Sequence, residues 1–217
     1  MNRKFDLIVF DWDGTLQDST AIIARSIQAA ADDLGVPVPN LERANHVIGL
    51  GLREAIAHAV PELPVERIAD FSDRYRHHYL RAEETLLLFD GVRELLADLH
   101  ANGFPLAIAT GKSRRGLIRS LAATELAAYF AATRCADQTD PKPHPAMLLE
   151  LADELQVAPA RALMIGDTTH DLEMARAAGT QSIGVSWGAH PRSQLLACAS
   201  LAVVDSVAEL REWISPL

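Results

Sequence analysis

Apolar residues collect in short runs at Leu7 to Phe10, Leu106 to Ala109, Ala162 to Ile165, Ser182 to Val185 and Leu201 to Val204, each closed by polar or glycine-containing turns. Runs of this length without polar alternation predict strands buried on both faces. A further core segment lies around Ala131 to Cys135. Between and after these runs, apolar residues recur at helical spacing over Val92 to Ala101, Arg114 to Ala122, Pro145 to Leu155, Leu172 to Ala178 and Val207 to Ile214. Strand and helix therefore alternate. That order predicts an α/β fold with right-handed crossovers and a doubly wound parallel sheet covered by helices on both sides.

One span breaks the alternation. From Gln17 to Leu88 there are several helical patterns and no convincing strand, the longest over Thr20 to Leu34 and Val65 to Leu80, with breakers at Gly35 to Pro39 and Val60 to Pro64. The pattern predicts a small all-helical insertion after the first strand. Its boundaries divide the chain into a core of residues 1–16 and 89–217 and a helical unit of residues 17–88.

Composition narrows the partners. A hydrophobic fraction of 49% and a charged fraction of 23% describe a globular chain able to bury a large core. A net charge of −9 lacks the surplus of Lys and Arg that neutralising a phosphate backbone demands, so small molecules, and not nucleic acid, are the expected partners. The cysteines Cys135 and Cys198 stand far apart with no metal-binding spacing, which fits a reduced cytoplasm. No apolar run approaches the length that spans a bilayer, and the apolar stretch behind the basic start is too short for a signal peptide. A monomer and a dimer are equally compatible with these properties.

In an open parallel sheet, ligands bind beyond the carboxyl ends of the strands, and four strand ends here carry chemistry. The first is FDWDGTL, with Asp11 and Asp13 on one short turn and Gly14 allowing close backbone approach, a pairing that suits a hard cation. An ordinary Asp/Gly turn has the same composition. The second is AIATGKS, where the Thr110 hydroxyl, the N–H of Gly111 and a helix N-terminus make an anion site, although Ser113 is also a plain helix cap and the spacing is not that of a P-loop. The third is Lys142, held on extended chain between Pro141 and Pro143. The fourth is GDTTHD, in which Asp167 and Asp171 sit four residues apart and face one cavity if a helix begins there; Asp171 also complements that helix's dipole.

FDWDGTL, IATG, KPHP and IGDTTHD together resemble the four motifs of the haloacid dehalogenase-like hydrolases, and most of all the phosphoglycolate phosphatase-like group, whose helical cap sits where the insertion lies. The resemblance implies a Rossmann-like core and a Mg²⁺-dependent phosphatase acting on a small phosphorylated metabolite through an aspartyl-phosphate. It makes Asp11 the nucleophile and Asp13 the acid/base. It assigns Mg²⁺ to Asp11, Asp167 and the backbone carbonyl of Asp13, with Asp171 orienting that shell or holding a metal water. Thr110, Gly111 and Lys142 take the phosphoryl oxygens. Substrate choice falls to the cap, where Gly49 and Gly51 beside Arg53 offer a loop that closes over the site and pairs Arg53 with a substrate carboxylate or second phosphate; a solvated helix turn reads equally well.

The alternatives divide on single residues. A pyrophosphatase or nucleotidase shares every motif. A sugar-phosphate mutase of this family carries DGV where this chain has Thr15, and a Schiff-base relative needs a cap lysine where residues 17–88 contain none. A phosphoaspartate signalling domain lacks a helical cap, and an inert scaffold has no use for a full motif set. His144 and His170 lie inside motifs whose chemistry needs no imidazole, so both are read as packing.

Overall fold

The computed structural model describes residues 4–214, so the outermost ends of the predicted core, residues 1–3 and 215–217, lie outside the described residues. Six parallel strands, β1 (Leu7–Phe10), β2 (Leu106–Thr110), β3 (Ala132–Cys135), β4 (Ala162–Gly166), β5 (Gln181–Val185) and β6 (Ala202–Val204), form one sheet in the order β3-β2-β1-β4-β5-β6. The α/β class and the doubly wound parallel sheet expected from the apolar runs are thus observed. The chain steps outward from β1 to β3, then crosses back to lay β4 beside β1. That reversal opens a crevice at the carboxyl ends of β1 and β4.

Successive strand side chains alternate between faces. Ile8, Phe10, Ile108, Leu163 and Ile165 pack with Leu95, Leu96 and Leu99 of a helix over Val92–Ala101 and with Leu210 and Ile214 of another over Val207–Ile214. Leu7, Val9, Ala107, Ala109 and Met164 face the opposite way, against Met147, Leu148 and Leu151 of the helix Ala146–Glu154 and Met174, Ala175 and Ala178 of the helix Thr169–Ala178. Burial on both sides is why these strands read as continuous apolar runs.

The helical excursion consists of α1 (Thr20–Asp33), α2 (Leu41–His46), α3 (Leu52–Ala59) and α4 (Ile68–Glu83), preceded by one 3-10 turn at Val65–Arg67. It has its own apolar cluster, in which Ile23, Ile27, Ile56, Ala59, Phe71 and Tyr79 are buried together. Its two ends meet: Gln17 and Leu88 form an antiparallel bridge, Asp18 N–H donates to Leu87 O (3.0 Å), and Phe89 N–H donates to Leu16 O (3.1 Å). Among the described residues, no helix is long and apolar enough to cross a membrane.

Candidate active site

The turn after β1 is tied down before any side chain is considered. Asp11 N–H continues the sheet ladder to Ile165 O (2.9 Å), and Trp12 O accepts from the N–H groups of Leu16 and Gln17 (3.0 Å each). The fully buried Trp12 ring donates its Nε1–H to Gln17 Oε1 (2.9 Å), a structural role. Gly14 has φ 84°, and a Cβ there would stand 2.2 Å from Asp167 Oδ2, so only glycine lets the turn approach the acid on β4.

Asp11, Asp167 and Asp171 converge, with one carboxylate oxygen from each within 4.8 Å of the others. Lys142 reaches in from the loop after β3, its ammonium 2.8 Å from Asp11 Oδ1 and 2.6 Å from Asp171 Oδ1, and all four side chains are fully buried. Burial alone would depress the lysine, but Asp11 and Asp171 more than offset it and hold the ammonium charged. Burial pushes the Asp11 carboxyl well above the usual range; Lys142 pulls it back, and Asp171 and Asp167 add to the rise. The Asp167 carboxyl is pushed up to about 7 by burial and by the neighbouring Asp171. Three acids thus share one ammonium, and Asp11 Oδ2 is buried with no hydrogen-bond partner. An oxygen-only set with surplus negative charge and an orphaned carboxylate oxygen fits a hard divalent cation such as Mg²⁺.

Each outer acid is aimed by its neighbours. Asp167 accepts from the Thr15 hydroxyl (2.8 Å) and from Ala189 N–H (2.7 Å). Asp171 accepts from the N–H and hydroxyl of Thr168 (3.1 and 2.7 Å) within a capping box, which joins the dipole role to a place in the cluster. Gly188 was not singled out in the sequence, yet a Cβ there would lie 2.2 Å from Asp167 Oδ2. Gly188→Ala therefore displaces Asp167, and its expected effect is a loss of about 10- to 100-fold in metal affinity or activity with the fold retained. A titration of Mg²⁺ against activity checks this; an unchanged half-saturating concentration and rate would remove Gly188 from the site.

At the end of β2 the buried Thr110 hydroxyl accepts from Lys112 N–H (3.2 Å), and Ser113 Oγ caps the next helix by accepting from Gly116 N–H (3.3 Å). Asp13 turns away from the acidic cluster. Its Oδ1 accepts from the Ser19 hydroxyl (2.8 Å), and its two oxygens lie 2.9 and 3.1 Å from Lys112 Nζ. Ser19 stands at the N-cap of α1 but makes no capping bond, because its hydroxyl is committed to Asp13.

The loop between α2 and α3 lies against the core. Gly49 O and Leu50 O stand 2.4 and 2.5 Å from where a Cβ on Gly111 would sit, and Gly51 caps α3 while packing toward Ala136 and Pro141. The structure brings Gly49 and Gly51 to the strand ends; Arg53, by contrast, falls in the first turn of α3 and is exposed. His170 and His190 are buried and each meets the carbonyl of His46 through Nε2 (2.8 and 3.1 Å), so imidazoles of the core dock the end of α2. His144 is exposed. Trp187 donates to Thr15 O (3.2 Å) and braces the first motif.

A family model described as haloacid dehalogenase-like hydrolase matches residues 8–185. The chain is 37% identical over 210 residues to a probable phosphatase IndB of Dickeya dadantii, covering 94% of this chain and 91% of that protein. It is 33% identical to a phosphoglycolate phosphatase of Shigella boydii, covering 87% and 84%. Among solved structures, a predicted phosphatase from Clostridium acetobutylicum superposes with a TM-score of 0.87 at 27% identity, covering 98% of this chain and 99% of the other.

Proposed function

The chain belongs to the haloacid dehalogenase-like hydrolases, in the neighbourhood of the phosphoglycolate phosphatases, and from that premise we propose that it is a Mg²⁺-dependent phosphatase of small monoesters working through an aspartyl-phosphate. One observation carries the reading. Asp11 presents a buried, unpartnered oxygen while its other oxygen is held by Lys142, so the nucleophile is oriented and not quenched.

Asp11, Asp167 and the backbone carbonyl of Asp13 would hold the cation, with Asp171 orienting the set. Bound there, Mg²⁺ supplies the positive charge that lets a carboxylate approach a phosphate dianion. Thr110, Gly111 and Lys142 hold phosphoryl oxygens. The Asp11 oxygen attacks phosphorus, the bond to the ester oxygen breaks, and Asp13 gives its proton to the departing alkoxide. Asp13 then takes a proton from water, whose oxygen attacks the same phosphorus; inorganic phosphate leaves and Asp11 is regenerated.

Residues 17–88 act as the cap over a core of residues 1–16 and 89–217. Gly49 and Gly51 are its elements nearest the strand ends, and Arg53, exposed in the first turn of α3, is the charge it would offer to the far end of a substrate. We take its substrate to be a small monoester with a second anionic group, such as the phosphoglycolate in the name of the Shigella boydii relative, met in the cytoplasm.

The test is release of inorganic phosphate from 4-nitrophenyl phosphate and from a panel of phosphorylated metabolites, with Mg²⁺ and with chelator. The expected result is turnover that chelator stops and Mg²⁺ restores, with kcat/KM highest on a carboxylated monoester. Turnover indifferent to chelator would sink the metal assignment; no phosphate release from any member of the panel would sink the phosphatase.

A further inference from the structure

Lys112 has no part in the steps above, yet it is the cation nearest Asp13. Its side chain is only 8% exposed, and its ammonium lies 2.9 and 3.1 Å from the two Asp13 oxygens and 2.8 Å from the Tyr79 hydroxyl. Tyr79 belongs to α4, in the helical excursion, whereas Lys112 follows β2 in the core. Tyr75, Tyr79 and Glu83 stand four residues apart along α4 and so share one face of it. Tyr75 stacks on Tyr79 with ring centroids 5.9 Å apart, and Glu83 pairs with Arg119 of the core helix Arg114–Thr124 (3.0 and 3.3 Å).

Resting on the acid/base role of Asp13, we propose that Lys112 is a positioning residue: Tyr79, delivered by α4, clamps its ammonium onto Asp13, so that the acid/base carboxylate is placed only while the helical unit is seated on the core.

Both anchors of Asp13 support this. One is Ser19, at the N-cap of α1; the other is Lys112, itself steadied by Tyr79 on α4. A lysine stem has many rotamers, so without a second contact its ammonium is not confined to one place. Tyr79 provides that contact through its hydroxyl. The acid thus borrows its geometry from an element remote in sequence, and a proton donor about 1 Å out of place loses much of its effect.

The experiment measures kcat/KM on a series of ring-substituted phenyl phosphates, from 4-nitrophenyl to phenyl, for wild type, Tyr79→Phe, Lys112→Met and Asp13→Asn, all with Mg²⁺. Poor leaving groups need the proton and good ones do not. The expected result is a loss of about tenfold on phenyl phosphate for Tyr79→Phe and more for Lys112→Met, with a change under about twofold on 4-nitrophenyl phosphate, so that the leaving-group plot steepens. Equal losses along the series, no loss, or a shallower plot in the two variants would overturn the proposal. Tyr79→Phe removes one hydroxyl, so its melting temperature should match wild type and the comparison stands even if Lys112→Met folds poorly. If Asp13→Asn leaves the slope unchanged, or wild type has no Mg²⁺-dependent turnover, the underlying reading fails instead.

Discussion

Asp11→Asn should abolish phosphate release, by at least about 10⁴-fold, while leaving the metal-free protein as stable as wild type or more so. The amide keeps the shape of the carboxylate but has no nucleophilic oxygen to give to phosphorus. Stability runs the other way because the site is overcharged: Asp11, Asp167 and Asp171 face a single ammonium, and burial pushes the Asp11 carboxyl up even with Lys142 beside it. Neutralising one of three acids relieves that repulsion, and Lys142 keeps Asp171 at 2.6 Å. A phosphate-release assay and thermal melting in chelator read the two halves separately. Residual turnover near wild type would remove Asp11 as nucleophile; a large drop in the chelator melting temperature would show that its charge is structural.

Lys142→Met is the converse and should be the most damaging single change to the metal-free fold. It leaves three buried carboxylates with no counter-charge, a situation that costs about 3–5 kcal/mol where buried pairs have been broken. For a chain of this size that corresponds to a melting temperature lower by about 6–20 °C. Mg²⁺ should restore much of the loss, since it returns positive charge to the same oxygens, and the variant should therefore gain more from Mg²⁺ than wild type does. Activity should stay depressed by about 10²- to 10³-fold even then, because one proposed holder of the phosphoryl oxygens is gone. Melting curves in chelator and in Mg²⁺ decide the matter. A variant that melts with wild type in chelator would mean that the acids are held apart by something other than this ammonium.

The sheet was legible because its strands are buried on both faces and need no partner information to stand out as apolar runs. The helices Val92–Ala101 and Val207–Ile214 match their periodic stretches at both ends. Elsewhere local chemistry moved a boundary: Thr169–Ala178 begins three residues before the apolar pattern at Leu172, because Thr168 and Asp171 form a capping box that the periodicity does not register. The all-helical character expected of this span holds for α2 and α3 as well, but six and eight residues carry too few turns for a period to fix their bounds. As a result Arg53, expected on a loop, lies in a helix.

The same division holds at the site. Asp11 and Asp167 follow their strands directly, and Lys142 and Asp171 come from the loop and the helix start that follow theirs, so strand-end logic brings the four together. Ser19, Tyr79 and Gly188 come from the start of α1, the end of α4 and the turn beyond β5, and what they do depends on contacts across the fold. Ser19 stands at the N-cap of α1, yet its hydroxyl is bound to Asp13, which the sequence pattern does not reveal.

The bridge between Gln17 and Leu88 has a consequence for how such a chain is assembled. Paired strands lie about 5 Å apart, so from the sheet's side the whole helical excursion is a hairpin turn that happens to be very long. Closing such a loop costs free energy that grows only with the logarithm of its length, about 0.6 kcal/mol for each doubling. The cost of closing the core around the excursion therefore depends little on its length. Material between those two residues can be lengthened, exchanged or rebuilt around a new ligand while Asp11, Asp167 and Asp171 keep their places, so long as the contacts that Ser19 and Tyr79 make around Asp13 are retained.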